Sequence, residues 1–122
     1  MDSLHPLFQL TGQVAIVTGG TGVLGSVMAH GLALAGAKVG ILGRRQAEAQ
    51  AVAAAIEATG GQAIALPGDV LDREQLTRIR SEVLERWGAI DILVNGAGGN
   101  LPAATLPPGR SFFALPVEGM EP

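Results

Sequence analysis

Apolar positions along this chain alternate between two rhythms. The unbroken run Val14–Val17 suits a strand buried on both faces, as in a parallel sheet, and the short stretches Lys38–Leu42, Ala63–Leu66 and Ile90–Val94 read as three further strands. Between them the apolar residues step by three and four. Leu24, Val27, Met28, Gly31, Leu32 and Ala35 predict a first helix with one buried stripe, ended by Gly36. An alanine-rich second helix spans Ala47–Thr59 with Val52 and Ile56 on one face, and Gly60-Gly61 stops it. Leu76, Ile79, Val83 and Trp87 form the stripe of a third, broken by Gly88. That helix opens on a capping-box-like pair, Asp72 and Gln75, and Glu74/Arg78 and Glu82/Arg86, four apart, support its solvated face.

The order strand, helix, strand, helix, strand, helix, strand, with short connections, predicts an α/β fold: a doubly wound parallel sheet with helices on both faces. The strand order is 3-2-1-4 in the dinucleotide-binding arrangement, with the flavodoxin-like order as its rival. Residues 1–12 read as a lead-in punctuated by Pro6 and Gly12. Asn100–Pro122 holds five of the seven prolines, and Phe112 and Phe113, without a period, which predicts an extended loop or tail after a domain at 1–99.

Composition narrows the function classes. A chain of 122 residues, 48% hydrophobic, suits one domain. A net charge of -3, with eight Lys and Arg against eleven Asp and Glu, argues against nucleic-acid or anionic-membrane partners. No cysteine is present, and His5 and His30 stand far apart, so no metal site is expected. His30 falls off the stripe of the first helix and reads as a partly exposed structural residue. Nothing in the first ten residues reads as a secretory signal, no run reaches ~18 apolar residues, and a cytoplasmic protein is the expectation.

Candidate chemistry collects where strands end. Thr18-Gly19-Gly20-Thr21-Gly22-Val23-Leu24-Gly25 follows the first strand and opens the first helix. Its Gly20-x-Gly22-x-x-Gly25 spacing supplies a tight turn, a close backbone approach and a thin helix start, and the unpaired N–H groups at that end suit a pyrophosphate. After the second strand, Arg44 and Arg45 sit at the positive end of a helix dipole, and Gly43 takes the place of the carboxylate usual for NAD. A 2'-phosphate offsets that charge, so NADP(H) is favoured over NAD(H). Asp69, followed by Val70, ends the third strand where a carboxylate can meet an adenine amino group. Asn95-Gly96-Ala97-Gly98-Gly99 ends the fourth with small residues that admit a flat cofactor.

Through Thr18–Gly25, Asp69-Val70 and Ile90-Asp91-Ile92-Leu93-Val94-Asn95-Gly96-Ala97-Gly98, residues 10–100 resemble the short-chain dehydrogenase/reductase family. The last element is similar to the family's Asn-Asn-Ala-Gly, with Gly96 for the second Asn. The glycine spacing, TGxxGxxG, is that of the extended branch, because Val23 fills the sixth position. The resemblance implies a Rossmann-type three-layer α/β/α fold, an NAD(P) cofactor, a small-molecule substrate, hydride transfer between an alcohol and a carbonyl, and homo-oligomers for full-length members. Ile41-Leu42-Gly43-Arg44, Asn95–Asn100 and the Pro-rich stretch before Ser111-Phe112-Phe113 resemble more narrowly the D-mannonate oxidoreductase and fructuronate reductase group, which implies a sugar acid and a carboxylate contact for Arg110.

The family's catalysis uses a Tyr-x-x-x-Lys pair and a serine. The 122 residues contain no tyrosine, and Lys38, the one lysine, opens the second strand. No catalytic residue is therefore assigned. The chain reads as a cofactor-binding amino-terminal part, truncated after the fourth strand, with a non-catalytic small nucleotide-binding or sensor protein as the alternative. A self-sufficient protein covers the outer face of its first helix and the edge of its fourth strand, whereas a part of a longer one leaves both open.

Overall fold

The structure is a computed structural model that describes residues 5–96. Strands β1 (Val14–Thr18), β2 (Lys38–Gly43), β3 (Gln62–Pro67) and β4 (Ile92–Asn95) alternate with helices α1 (Val23–Leu34), α2 (Gln46–Ala58) and α3 (Arg73–Trp87). All pairings are parallel, in the order β3-β2-β1-β4, which excludes the flavodoxin-like rival. A three-residue 3-10 helix at Pro6–Phe8 lies in the lead-in.

Alternation along the strands sorts the core into two layers. Ala15, Val17, Val39, Ile41 and Ala63 face α1 and α2 with Ala29, Ala49, Ala53 and Ile56. Val14, Ile16, Leu42 and Leu66 face α3 with Ile79 and Val83. All five residues of β1 are buried, as its unbroken apolar run requires. Gly40 in β2 makes room for this packing, since a Cβ there would lie 2.5 Å from Leu66 Cδ1.

The register between β1 and β4 has a device of its own. Asp91, just before β4, accepts a hydrogen bond from the Val14 N–H through Oδ2 at 2.8 Å, and its own N–H donates to the Val14 carbonyl at 2.8 Å. Both ends of one residue thus hold β4 beside the buried strand. Ala15↔Ile92 through Thr18↔Asn95 follow in step.

The stripe predicted for α1 is the principal correction. Leu24 and Val27 are 72% and 63% exposed, Gly31 is exposed, and Met28, Leu32 and Ala35 are only half-buried. The buried positions are Gly25 and Ala29. Apart from Ser26 and His30 the helix is apolar all round, so periodicity does not select a face; the small residues do, by letting the helix lie close to the sheet. His30 is half-buried, the partial exposure expected of it. The outer face of α1, with Val23, and Leu93 on the edge strand β4 are left uncovered by the described residues.

Glu74/Arg78 and Glu82/Arg86 do not close into ion pairs; Arg86 instead lies over the Trp87 ring at 5.9 Å. Gly88 ends α3 in the left-handed region at φ 81°, its N–H donating to the Leu84 carbonyl. Gly31, exposed in mid-helix with open space around its Cα, is expected to tolerate alanine. Gly31→Ala should stabilise the fold by about 1 kcal/mol, read as a higher thermal midpoint; an unchanged or lower midpoint contradicts this placement. Among the described residues no helix is long and apolar enough to cross a membrane, and no cluster of side chains suits a metal ion.

Candidate dinucleotide site

The sheet reverses its strand order between β1 and β4, and ligands of open α/β sheets bind outside the carboxyl ends of the strands at such a point. The Thr18–Gly25 turn stands there. Gly19 takes φ 68°, a conformation that side chains resist, and its N–H donates to the Leu42 carbonyl at 3.0 Å. Gly20 is pressed against β2, where a Cβ would lie 2.8 Å from Ile41 Cγ2. At Gly25 a Cβ would overlap the Gly19 carbonyl oxygen and come within 2.8 Å of its carbon. Glycine at 25 is thus what lets α1 begin directly against the loop.

Gly22 is the N-cap of α1 and offers no side-chain acceptor. The N–H groups of Val23 and Leu24 consequently have no acceptor among the described residues, while their side chains point outward at 87% and 72% exposure. Unsatisfied amides at a helix start, with the positive end of its dipole behind them, are the donors an anionic phosphate needs.

Thr18 and Asn95 meet at the root of the loop. Thr18 is buried, and its hydroxyl donates to Asn95 Oδ1 at 2.9 Å. The Gly96 N–H donates to the Thr18 carbonyl at 3.0 Å, and a Cβ at Gly96 would lie 2.8 Å from that oxygen. These contacts tie the end of β4 to the root of the glycine loop. Ala97 and Gly98, with Arg110 and the whole 100–122 stretch, lie outside the described residues.

The loop connects sideways to β2 and β3. A Cβ at buried Gly43 would sit 2.9 Å from Thr21 Cγ2, so a larger residue there would require the Thr21 side chain to shift. The Gly43 carbonyl in turn accepts from the Gly68 N–H at 2.9 Å. Beyond it opens a cleft of about 340 Å3 lined by Arg44, Gln46, Pro67, Gly68, Asp69 and Gln75.

The two adjacent arginines part company here. Arg45, the N-cap residue of α2, donates from Nη1 to Glu48 Oε1 at 2.9 Å, and this hydrogen bond and then the Glu48 charge hold its pKa above the ordinary value. Arg44 lines the cleft, and its side chain forms no ion pair among the described residues. Asp69 lines the same cleft, and its Oδ1 accepts from the Leu71 N–H at 2.9 Å. Val70 turns its side chain into the core on the α3 side. Gln46, Gln75 and the steering of Arg45 by Glu48 are the features of this site that strand-end reasoning missed. The i, i+3 spacing of Arg45 and Glu48 and the Asp72-x-x-Gln75 pair were the available signals.

Comparison with known proteins places this geometry. The family model for short chain dehydrogenase matches residues 13–110. The uncharacterized oxidoreductase UxuB of Bacillus subtilis is 46% identical over 98% of this chain and 45% of its own length. The chain therefore spans less than half of that relative. Among solved structures, a candidate D-mannonate oxidoreductase from Haemophilus influenza with bound NAD superposes with a TM-score of 0.76 at 35% identity, covering 93% of this chain and 44% of that one. A metagenomic short-chain oxidoreductase in complex with NADP gives a TM-score of 0.71 at 35% identity, over 75% of this chain and 41% of the other.

Proposed function

The chain belongs to the short chain dehydrogenase family, and from that premise we propose that it forms the dinucleotide-holding part of an NAD(P)-dependent oxidoreductase interconverting an alcohol and a carbonyl. The observation that carries this reading is the pair of open amides at the start of α1, on a glycine turn whose Thr21 lies against Gly43, next to the cleft residue Arg44. Open amides at Val23 and Leu24 suit the pyrophosphate, and the cleft beyond β2 and β3 suits the adenosine end. The nicotinamide of such a cofactor supplies or accepts the hydride. Likeness to the D-mannonate oxidoreductase structure supports a sugar acid as the substrate class.

NADP(H) is favoured over NAD(H). Its support lies in this chain's own residues, because one neighbour holds NAD and another NADP. Gly43 leaves no carboxylate to receive a ribose 2'-hydroxyl, and Arg44 offers a guanidinium that matches a phosphate. A hydrogen bond to a charged group contributes about 1.5–3 kcal/mol, so Arg44→Ala should weaken NADPH binding about ten- to hundredfold. NADH affinity should change less than twofold, as should NADPH affinity in Arg45→Ala, since Glu48 already engages that side chain. Fluorescence titration measures all three changes. Tighter binding of NADH than NADPH by the parent chain would sink the preference.

The residues that would finish proton transfer in the family, Tyr-x-x-x-Lys, have no counterpart within these 122 positions, which contain no tyrosine. The site assigned to this stretch is accordingly one of binding and orientation.

A further inference from the structure

The pair Asp72 and Gln75 does not close as a capping box. Asp72 caps α3 as predicted, Oδ1 accepting from the N–H groups of Glu74 at 3.0 Å and Gln75 at 3.3 Å. In the reciprocal half of the box, however, Gln75 would return to the Asp72 N–H. That N–H instead donates to the Asp69 carbonyl at 3.0 Å. Gln75 Oε1 accepts from the Asp69 N–H at 2.8 Å, and Gln75 Nε2 donates to Asp72 Oδ2 at 2.9 Å. The side-chain amide thus spans from the helix cap to the last turn of the strand end, with both ends engaged.

Everything about this bridge converges on Asp69. Its N–H is held by Gln75, its carbonyl by Asp72, and its Oδ1 by Leu71. Only Oδ2 accepts nothing from the described residues. The turn is also pinned from below, since a Cβ on Gly68 would lie 2.6 Å from Ile79 Cδ1. A carboxylate on a connecting turn samples many orientations unless its backbone is fixed. Here the fixing group comes from the helix, across the wall of the same cleft.

We infer that Gln75 is a positioning residue for the adenosine end of the ligand: it sets the Asp69 backbone so that the one uncommitted carboxylate oxygen is presented to the cleft. This rests on the dinucleotide reading proposed above. Removing the amide leaves the Asp69 N–H without its acceptor and releases the turn, whereas the glycine loop, on other elements, keeps its geometry. The pyrophosphate and adenosine ends of the site should therefore respond separately.

The test compares ADP-ribose with inorganic pyrophosphate by calorimetric titration of the purified chain. Gln75→Ala should weaken ADP-ribose about tenfold and leave pyrophosphate within twofold. Gln75→Glu alone retains an acceptor for the Asp69 N–H but sets a carboxylate oxygen against Asp72 Oδ2; combined with Asp72→Asn, whose NH2 group then donates to it, it should recover most of the loss. Asp72→Asn guards against a variant that merely fails to fold: asparagine caps helices as well as aspartate, but it sets an NH2 group against Gln75 Nε2. It should weaken ADP-ribose at least threefold with an unchanged circular dichroism spectrum. Equal ADP-ribose affinity in the parent and Gln75→Ala overturns the role of Gln75 while leaving the dinucleotide reading intact. So does a parallel loss of pyrophosphate, which would mark a general structural effect. A parent chain that binds neither probe overturns both.

Discussion

Gly25→Ala is expected to abolish dinucleotide binding, with affinity for NADPH falling at least a hundredfold. The added methyl group would overlap the Gly19 carbonyl oxygen, and both parties are backbone, so no side-chain rotation relieves the contact. Either α1 moves away from the sheet or Gly19 abandons its φ of 68°, and either change turns the Val23 and Leu24 amides from their common direction. A displacement of about 1 Å at a positioned group can cost around a hundredfold. The same titration on Gly31→Ala, in the same helix with open space at its Cα, is the control and should match the parent. Retained affinity in Gly25→Ala would show that the loop tolerates the extra volume and that its closeness to α1 is not what the ligand reads.

The second large effect concerns stability. Ile41 is fully buried in β2, within the layer facing α1 and α2, and its Cγ2 bears on the glycine loop at Gly20. Ile41→Ala should destabilise the fold by about 2–5 kcal/mol, because the lost transfer energy is joined by a cavity that a parallel sheet cannot readily collapse. Domains are stable by only about 5–15 kcal/mol in total, so the urea midpoint should fall steeply. Ile41→Val, which removes one methylene, should cost about 0.5–1.5 kcal/mol. A loss below 1 kcal/mol for the alanine variant would mean that Ile41 is not packed as described.

How much of this was legible in the sequence depends on how local each signal is. The first strand was, because a parallel strand buried on both faces leaves an unbroken apolar run, and Val14–Val17 differs from the observed β1 only at Thr18. The order β3-β2-β1-β4 was one of two arrangements left open, and only the structure decided between them. The inward face of α1 was not legible: with apolar residues all round, Leu24 and Val27 satisfy a helical period as well as any buried residue, and the deciding contact is the fit of Gly25 on Gly19. Asp91 gave no local hint, since its partner Val14 lies 77 positions away.

The candidate site divides in the same way. The glycine loop, Arg44 and Asp69 were readable from their places at strand ends, and the structure links their elements through Thr21, Gly43 and Gly68. Asn95 was readable from its place at the end of the fourth strand, whereas its bond to Thr18 at 2.9 Å, across 77 positions, was not. Gln75 was read as a cap because spacing reports only neighbours along the helix. Its bond to Asp69 exists because Gly68 lets the strand end settle against α3.

The central claim is that the open amides at the start of α1 hold the phosphates of a dinucleotide. Titrating NADPH into the 15N-labelled chain and following backbone amide shifts tests it most directly. Saturable shifts at Gly19, Gly20, Gly22, Val23 and Leu24, absent in Gly25→Ala, are the expected result. A titration that leaves these amides unmoved, or moves only those on the exposed face of α3, would contradict it.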